Sequence, residues 1–220
     1  MKLAIFNGSP RGKGSNTRIL LEHFQIGFEN RGGEVSSIDY LIQEKYPEDQ
    51  VQHFKDAESI LLAFPLYVDS VPGIVKKFVE TLGSFNGNGK KILFLVQSGF
   101  PEAVHSEEVK SYLLLLSKRL NLKCLGVIIK PGVEGIKIMP EWMTGKLFNK
   151  MKLFGEQLAT NGKIDEKSVK KLACPYKFSV FKILFFRLMR LTGMANFYWN
   201  KNLKEHGAFE KRFDAPYLEN

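Results

Sequence analysis

The sequence has little cysteine and no long apolar run. Two cysteines, Cys124 and Cys174, occur among its 220 residues, and their spacing fits neither a zinc site nor a redox pair. No apolar stretch reaches the roughly 18–20 residues needed to cross a bilayer, and no secretory leader opens the chain. We therefore expect a cytoplasmic protein without a metal site, whose length suits one α/β domain with a substantial appendage.

Two common phosphate-binding signatures are also missing from the glycine-rich stretch near the start of the chain. This stretch reads Gly8-Ser9-Pro10-Arg11-Gly12-Lys13-Gly14-Ser15-Asn16-Thr17. Lys13 is followed by glycine rather than by serine or threonine, which excludes the nucleoside-triphosphate loop. The third glycine of the dinucleotide fingerprint is absent after Gly12 and Gly14, which excludes that motif as well.

The same stretch nevertheless has the composition of an anion site. It follows the apolar run 3–6, typical of a buried strand, and precedes residues 18–24, whose apolar positions recur at helical spacing. Free N–H groups and the dipole at a helix start attract a phosphate, and Ser9, Ser15 and Thr17 supply hydroxyl donors. We predict a phosphate monoester held here without magnesium. The alternative is an ordinary turn in which Ser15 or Asn16 caps the helix.

Two further loops follow apolar runs that are typical of strands buried on both faces. After the run 60–64, Pro65 and Pro72 stiffen a loop that contains Tyr67. After the run 92–96 comes a loop with Ser98, Gly99 and Phe100. Open α/β sheets bind ligands at the carboxyl ends of their strands. Tyr67 either packs beside a ligand or is a surface or interface aromatic, and Phe100 either covers a ligand or fills the core.

The first two loops resemble those of a known family. The segment 7–11 with Ser15-Asn16-Thr17, together with 63–78, is similar to the NAD(P)H-dependent FMN reductase family of the flavodoxin-like superfamily. The resemblance covers roughly residues 1–130. Some relatives hold an iron–sulfur centre on cysteines between their second and third strands, and such clusters need thiolates. Residues 41–49 contain no cysteine, so the chain resembles the branch without that cluster.

This resemblance implies an enzyme that binds FMN and takes electrons from NADPH or NADH. A small-molecule electron acceptor, such as a quinone, a nitro or azo compound or a free flavin, would then be reduced in a two-step hydride transfer. A homo-oligomer, dimer or tetramer, is also implied, and no catalytic residue is assigned. The expected FMN-binding residues come from the three loops: Ser9, Arg11, Ser15, Asn16, Thr17, Pro65, Leu66, Tyr67, Val68, Asp69, Ser98, Gly99 and Phe100.

The alternation of apolar runs and helical patterns predicts a parallel sheet with helices on both faces. Strands are expected near 2–6, 34–39, 59–64, 90–96 and 123–129, and helices near 16–30, 48–55, 73–83 and 104–120. The resemblance selects the flavodoxin-like doubly wound order 2-1-3-4-5. We place the FMN-binding domain at 1–130 and a C-terminal helical extension at 131–220, packed on that domain or on a second subunit.

The predicted extension carries most of the net charge of +9. Residues 1–129 contain 15 basic and 14 acidic residues, whereas 130–220 contain 17 and 9. Helices are expected at 140–161 and 165–172, followed by a basic, aromatic-rich stretch at 176–191. Packing of this stretch on the body or on a second subunit is favoured over a membrane surface. Nucleic acid is not expected as a partner, because no binding motif accompanies the few basic residues.

Two other functions remain open at this point. One is an electron-transfer module that serves a protein partner without using NAD(P)H. Flavodoxins of that kind are strongly acidic, whereas residues 1–129 of this chain are balanced in charge. The other is a flavin-binding protein held at a membrane surface by its basic amphipathic tail.

Overall fold

The computed structural model describes residues 1–42, 47–192 and 196–215. Five strands alternate with the first helices, and further helices follow the last strand. The strands are β1 (Lys2–Asn7), β2 (Glu34–Tyr40), β3 (Ser59–Pro65), β4 (Lys91–Gln97) and β5 (Lys123–Lys130). The helices are α1 (Asn16–Glu29), α2 (Pro47–Asp56), α3 (Gly73–Thr81), α4 (Glu107–Arg119), α5 (Glu141–Asn161), α6 (Glu166–Leu172), α7 (Val180–Leu191) and α8 (Phe197–Glu205).

All five strands pair in parallel, in the order β2-β1-β3-β4-β5. This confirms the predicted fold class and strand order. Every residue of β3 is buried, as the continuous apolar run required for a central strand covered on both faces. Exposed and partly buried residues alternate along β2, because this strand forms an edge of the sheet.

Each face of the sheet carries its own hydrophobic core. Phe6 and Phe94 point to one face and join residues of α2, α3 and α4, including Phe54 and Phe78. Leu3, Ile5, Leu93 and Leu95 point to the other face and join α1 and α5. This alternation follows from the period of two along a strand. The first loop and the start of α1 follow the carboxyl end of β1.

Helix α5 lies against α1 at a very close crossing. A Cβ atom built on Gly27 of α1 would stand 1.9 Å from the carbonyl oxygen of Lys152, and one on Gly155 of α5 would stand 2.0 Å from that of Phe24. Only glycine allows two helix backbones to approach so closely. Residues of α5 such as Phe154 and Leu158 thereby belong to the core that α1 covers.

The described chain divides into two compact units, Met1–Lys177 and Phe178–Asn220. The first unit contains the sheet, α1 to α6 and both hydrophobic cores. The second contains α7 and α8, and its last residues, 216–220, lie outside the described part of the chain. A separate domain limited to 1–130 stays a prediction, while α5, which follows that limit, packs on α1 within the first unit.

Candidate functional site

The loop between β1 and α1 is closed by a network of short-range hydrogen bonds. The Ser9 N–H donates to Asn7 Oδ1 at 2.9 Å, and Asn7 Nδ2 donates to Ser15 Oγ at 3.3 Å. Ser15 Oγ donates to the Gly12 carbonyl at 2.7 Å and accepts the Arg18 N–H at 3.1 Å. Ser15 is therefore the N-cap of α1, as the alternative interpretation from the sequence held.

Two N–H groups at the start of α1 remain available for a ligand. In the described part of the chain, the amides of Asn16 and Thr17 have no backbone acceptor, because the first amides of a helix precede its first intrahelical bond. Both residues are buried. These amides and the positive end of the helix dipole together favour an anion at this point.

Asn16 also ties the loop to a distant segment. Its Nδ2 atom donates to the Val133 carbonyl at 2.9 Å, which fixes the orientation of the amide. Its Oδ1 atom is buried and has no hydrogen-bond partner among the described residues. A buried acceptor without a donor is costly, so this oxygen is suited to a hydroxyl or water that a ligand brings.

The carboxyl ends of β1, β3 and β4 meet around a small cavity of about 20 Å³. Eight of the thirteen residues predicted from sequence line it: Ser9, Arg11, Asn16, Pro65, Leu66, Tyr67, Ser98 and Gly99. Gln97 and Glu134 complete the lining and were not predicted. Ser15 and Thr17 are buried beside it, and Thr17 Oγ1 accepts a hydrogen bond from Gln97 Nε2 at 3.2 Å.

Val68, Asp69 and Phe100 lie outside this lining and form a neighbouring group. Tyr67 and Ser70 exchange backbone hydrogen bonds of 3.2 and 3.0 Å across a two-residue turn. Val68 and Asp69 adopt φ values of 50° and 55° there, a left-handed conformation that is rare for a β-branched residue. Asp69 Oδ1 lies 3.4 Å from Nδ1 of His105, whose ring stacks on Phe100 at 4.4 Å.

Charges of both signs surround the cavity. Arg11 Nη1 lies 3.8 Å from Glu134 Oε1, and both side chains are partly exposed. Lys137 Nζ donates to the Gly14 carbonyl, which adds a second cation beside the loop. At the end of β5, burial lowers the pKa of the Lys130 amine below its ordinary range. The segment after β5 thus places one anion, Glu134, and one cation, Lys137, beside the first loop.

A family profile described as Flavodoxin-like fold matches residues 1–128. The chain belongs to the flavodoxin-like fold family. The matched range contains all three loops and the whole parallel sheet except its last two residues, and it confirms the superfamily resemblance drawn from the first two loops.

Solved structures with a flavodoxin-like sheet show the same architecture. An NADPH-quinone reductase from P. pentosaceus is 18% identical, with a TM-score of 0.57 over 73% of this chain and 99% of that one. An FMN-dependent NADH-azoreductase from Bacillus anthracis, in complex with FMN, is 13% identical, with a TM-score of 0.55 over 73% and 100%. An NAD(P)H:quinone oxidoreductase from Methanothermobacter marburgensis is 18% identical, with a TM-score of 0.53 over 72% and 96%. At these identities the likeness concerns the fold.

No curated protein matches the chain in sequence. Within the described residues, no three His, Cys, Asp or Glu side chains gather as a metal site would require. None of the described helices has the length and apolar character to cross a membrane.

Sequence reasoning missed Gln97, Glu134 and Lys137 for different reasons. Gln97 closes an apolar strand, and a polar residue at the carboxyl end of a central strand is a recognisable site signal in a flavodoxin-like fold. Glu134 and Lys137 follow β5, where the sequence carries no motif. Their position beside the first loop depends on the path of the chain after β5, which only the folded structure provides.

Proposed function

We propose that the protein is an FMN-dependent NAD(P)H oxidoreductase that reduces a small acceptor such as a quinone, a nitro or azo compound or a flavin. The observation that carries the proposal is the convergence of three loops around one cavity at the carboxyl ends of β1, β3 and β4. Family membership supports the placement, because open α/β sheets bind ligands at this edge. The structural neighbours named above are reductases and an oxidoreductase, which supports this chemical class.

The residues present suit the two polar parts of FMN. The amides of Asn16 and Thr17, the helix dipole and the Arg11 guanidinium form a donor set for a phosphate dianion. Asn16 Oδ1, a buried acceptor, suits a ribityl hydroxyl that donates. Of the described residues that line the cavity, Glu134 is the one acid. A bound phosphate would replace Glu134 as the partner of Arg11.

FMN, when bound, supplies the hydride chemistry between NAD(P)H and the acceptor. The chain's own residues would bind the cofactor and orient it. Pro65 and Leu66 bring rigid backbone to one side of the cavity, with the Leu66 N–H committed to the Gln97 carbonyl at 2.7 Å. Tyr67, 43% exposed, stands at the rim, where NAD(P)H and the acceptor would enter in turn.

The test begins with the absorption spectrum of the purified protein, before and after adding FMN. Bands near 370 and 450 nm and quenched flavin fluorescence are expected, followed by steady NAD(P)H oxidation when a quinone is added. Failure to bind FMN in excess would overturn the proposal. FMN binding without NAD(P)H oxidation would favour an electron-transfer module that serves a protein partner.

A pair of matched variants tests the phosphate position. Arg11→Gln removes a cation that lines the cavity, whereas Arg31→Gln removes an exposed cation near the other end of α1. Each arginine lies near one glutamate, at 3.8 and 3.6 Å respectively. We expect Arg11→Gln to raise the FMN dissociation constant about tenfold, with little change for Arg31→Gln. Equal effects would show that the phosphate binds elsewhere.

A further inference from the structure

Helix α7 exposes an unusual amount of apolar surface. Seven large apolar side chains of this helix are between 41% and 85% exposed: Val180, Phe181, Ile183, Leu184, Phe185, Phe186 and Leu188. Monomeric proteins rarely leave contiguous apolar patches larger than a few hundred Å² uncovered, and larger patches mark interaction sites. Within the described part of its own unit, this helix face is therefore not covered.

The cations of α7 are confined to one arc of the helix. At 100° per residue, Val180, Phe181, Leu184, Phe185 and Leu188 fall within one arc of the helix. The three cationic positions, 182, 187 and 190, fall on the remaining arc, which Ile183 and Phe186 share. The helix sequence VFKILFFRLMRL contains no acidic residue. Basic residues opposite a face rich in Phe and Leu are typical of helices that lie in a membrane interface.

The rest of the second unit also exposes aromatic side chains. Phe197 and Trp199 of α8 and Phe213 beyond it are exposed, and aromatic side chains favour the level of lipid headgroups. The stretch after α7 is balanced in charge, so the net positive charge of this unit comes from α7. Its four cations are Lys201, Lys204, Lys211 and Arg212, and its four acids are Glu205, Glu210, Asp214 and Glu219. Exposed aromatics and cations thus occur together in one compact unit.

We propose that α7 binds the surface of an anionic lipid bilayer, with its apolar face among the acyl chains and its cations at the headgroups. Charge distinguishes this partner from a second copy of the chain. Two copies of α7 would bring six cations and no α7 acid together, which opposes pairing, whereas anionic lipids complement these cations. Twelve residues span about 18 Å, so the helix lies along the surface rather than across the bilayer.

The test is flotation of the full-length protein with lipid vesicles. One set contains phosphatidylcholine and phosphatidylserine in a two-to-one ratio, and the other contains phosphatidylcholine alone. We expect the protein to float with the anionic vesicles and far less with the neutral ones. Raising the salt from about 0.1 M to about 1 M should release most of it, because salt screens the headgroup attraction.

Two variants and one control separate the contributions of charge and apolar surface. Lys182→Gln/Arg187→Gln/Arg190→Gln should lower the partition coefficient at least about tenfold. Phe181→Ser/Leu184→Ser/Leu188→Ser should abolish binding by removing the apolar face. The control Lys146→Gln/Lys163→Gln/Lys167→Gln removes the same charge from exposed sites of the first unit, and it should bind like the unchanged protein.

Three results would overturn the proposal. The first is failure of the unchanged protein to float with anionic vesicles at low salt, which requires no variant and so does not depend on variant folding. The second is an equal loss of binding in the control variant, which would assign the effect to net charge. The third is concentration-dependent association that the serine variant removes while vesicle binding persists, which would assign the apolar face to a second copy.

Discussion

At Ser15 one hydroxyl joins the loop, the helix start and the preceding strand. It donates to Gly12, accepts from Arg18 and accepts from Asn7. We expect Ser15→Ala to lower the free energy of unfolding by about 0.5–2 kcal/mol, the range measured for lost N-caps. Urea unfolding of the FMN-free protein measures this. Ser36→Ala, an exposed serine on the edge strand β2, is the control, and an equal effect in both would contradict the cap role.

Glu134 is the residue whose removal should improve the site. Its carboxylate lies near Arg11 and faces the place assigned to the phosphate. We expect Glu134→Gln to tighten FMN binding a few-fold at low salt, because it removes an exposed like charge whose influence is modest and screened. Fluorescence titration at two salt concentrations measures this. Weaker binding by the variant would show that Glu134 contributes to the site through another contact.

His23 gives the protein a pH-dependent stability. Desolvation, with the nearby charge of Lys152 adding, lowers the pKa of His23, and its ring stacks on Phe148 at 4.0 Å. Below its ordinary pKa the unfolded chain binds a proton that the folded one resists, so stability falls as pH drops below about 6.5. His23→Phe should flatten urea unfolding energies between pH 7.5 and pH 5.5. His206→Gln is the control, and an unchanged slope in His23→Phe would contradict this assignment.

At the scale of elements, the crossing of α1 and α5 is the tightest constraint. Gly155→Ala places a methyl group against the backbone of α1, so the two helices must separate. We expect a loss of about 3 kcal/mol or more of unfolding free energy, beyond ordinary overpacking. Gly145→Ala is the matched control in the same helix, since nothing lies within 4 Å of its Cβ position.

The control should stabilise the protein by about 0.5–1 kcal/mol, because alanine favours helix over glycine. Urea unfolding of both variants measures the difference. Similar stabilities for the two variants would show that α1 and α5 can separate at little cost.

The elements themselves could largely be predicted. Continuous apolar runs gave β3 as 59–64 against the observed Ser59–Pro65, and β4 as 90–96 against Lys91–Gln97. The 3.6-residue period gave α5 as 140–161 against Glu141–Asn161. Apolar runs and the helical period involve residues close together in sequence, so they can be recognised without the folded structure. The contact between Arg11 and Glu134 is not local, and neither residue's neighbours in sequence indicate the other.

At the scale of the whole molecule, both hydrophobic cores lie in the first unit. We therefore expect a chain ended at Lys177 to fold, with a thermal midpoint within a few degrees of that of the full chain. It should also bind FMN equally well, since every predicted FMN-binding residue precedes that end. Calorimetry and flavin titration measure these properties. A non-cooperative transition would show that residues 178–220 support the sheet.

Assembly into a homo-oligomer stays a prediction. Light scattering of the full chain and of the chain ended at Lys177 would check it.

The hydrogen bond from Asn16 to Val133 joins residues 117 positions apart. The loop after β1 therefore needs a contact from a segment that is synthesised much later. Contacts between residues so far apart in sequence form late, because closing a long stretch of chain costs conformational entropy. A growing chain that already contains Gly8 to Thr17 still lacks the carbonyl that orients Asn16. We therefore expect the ligand to bind only after the sheet is complete, when the segment after β5 has been synthesised and has folded against Asn16.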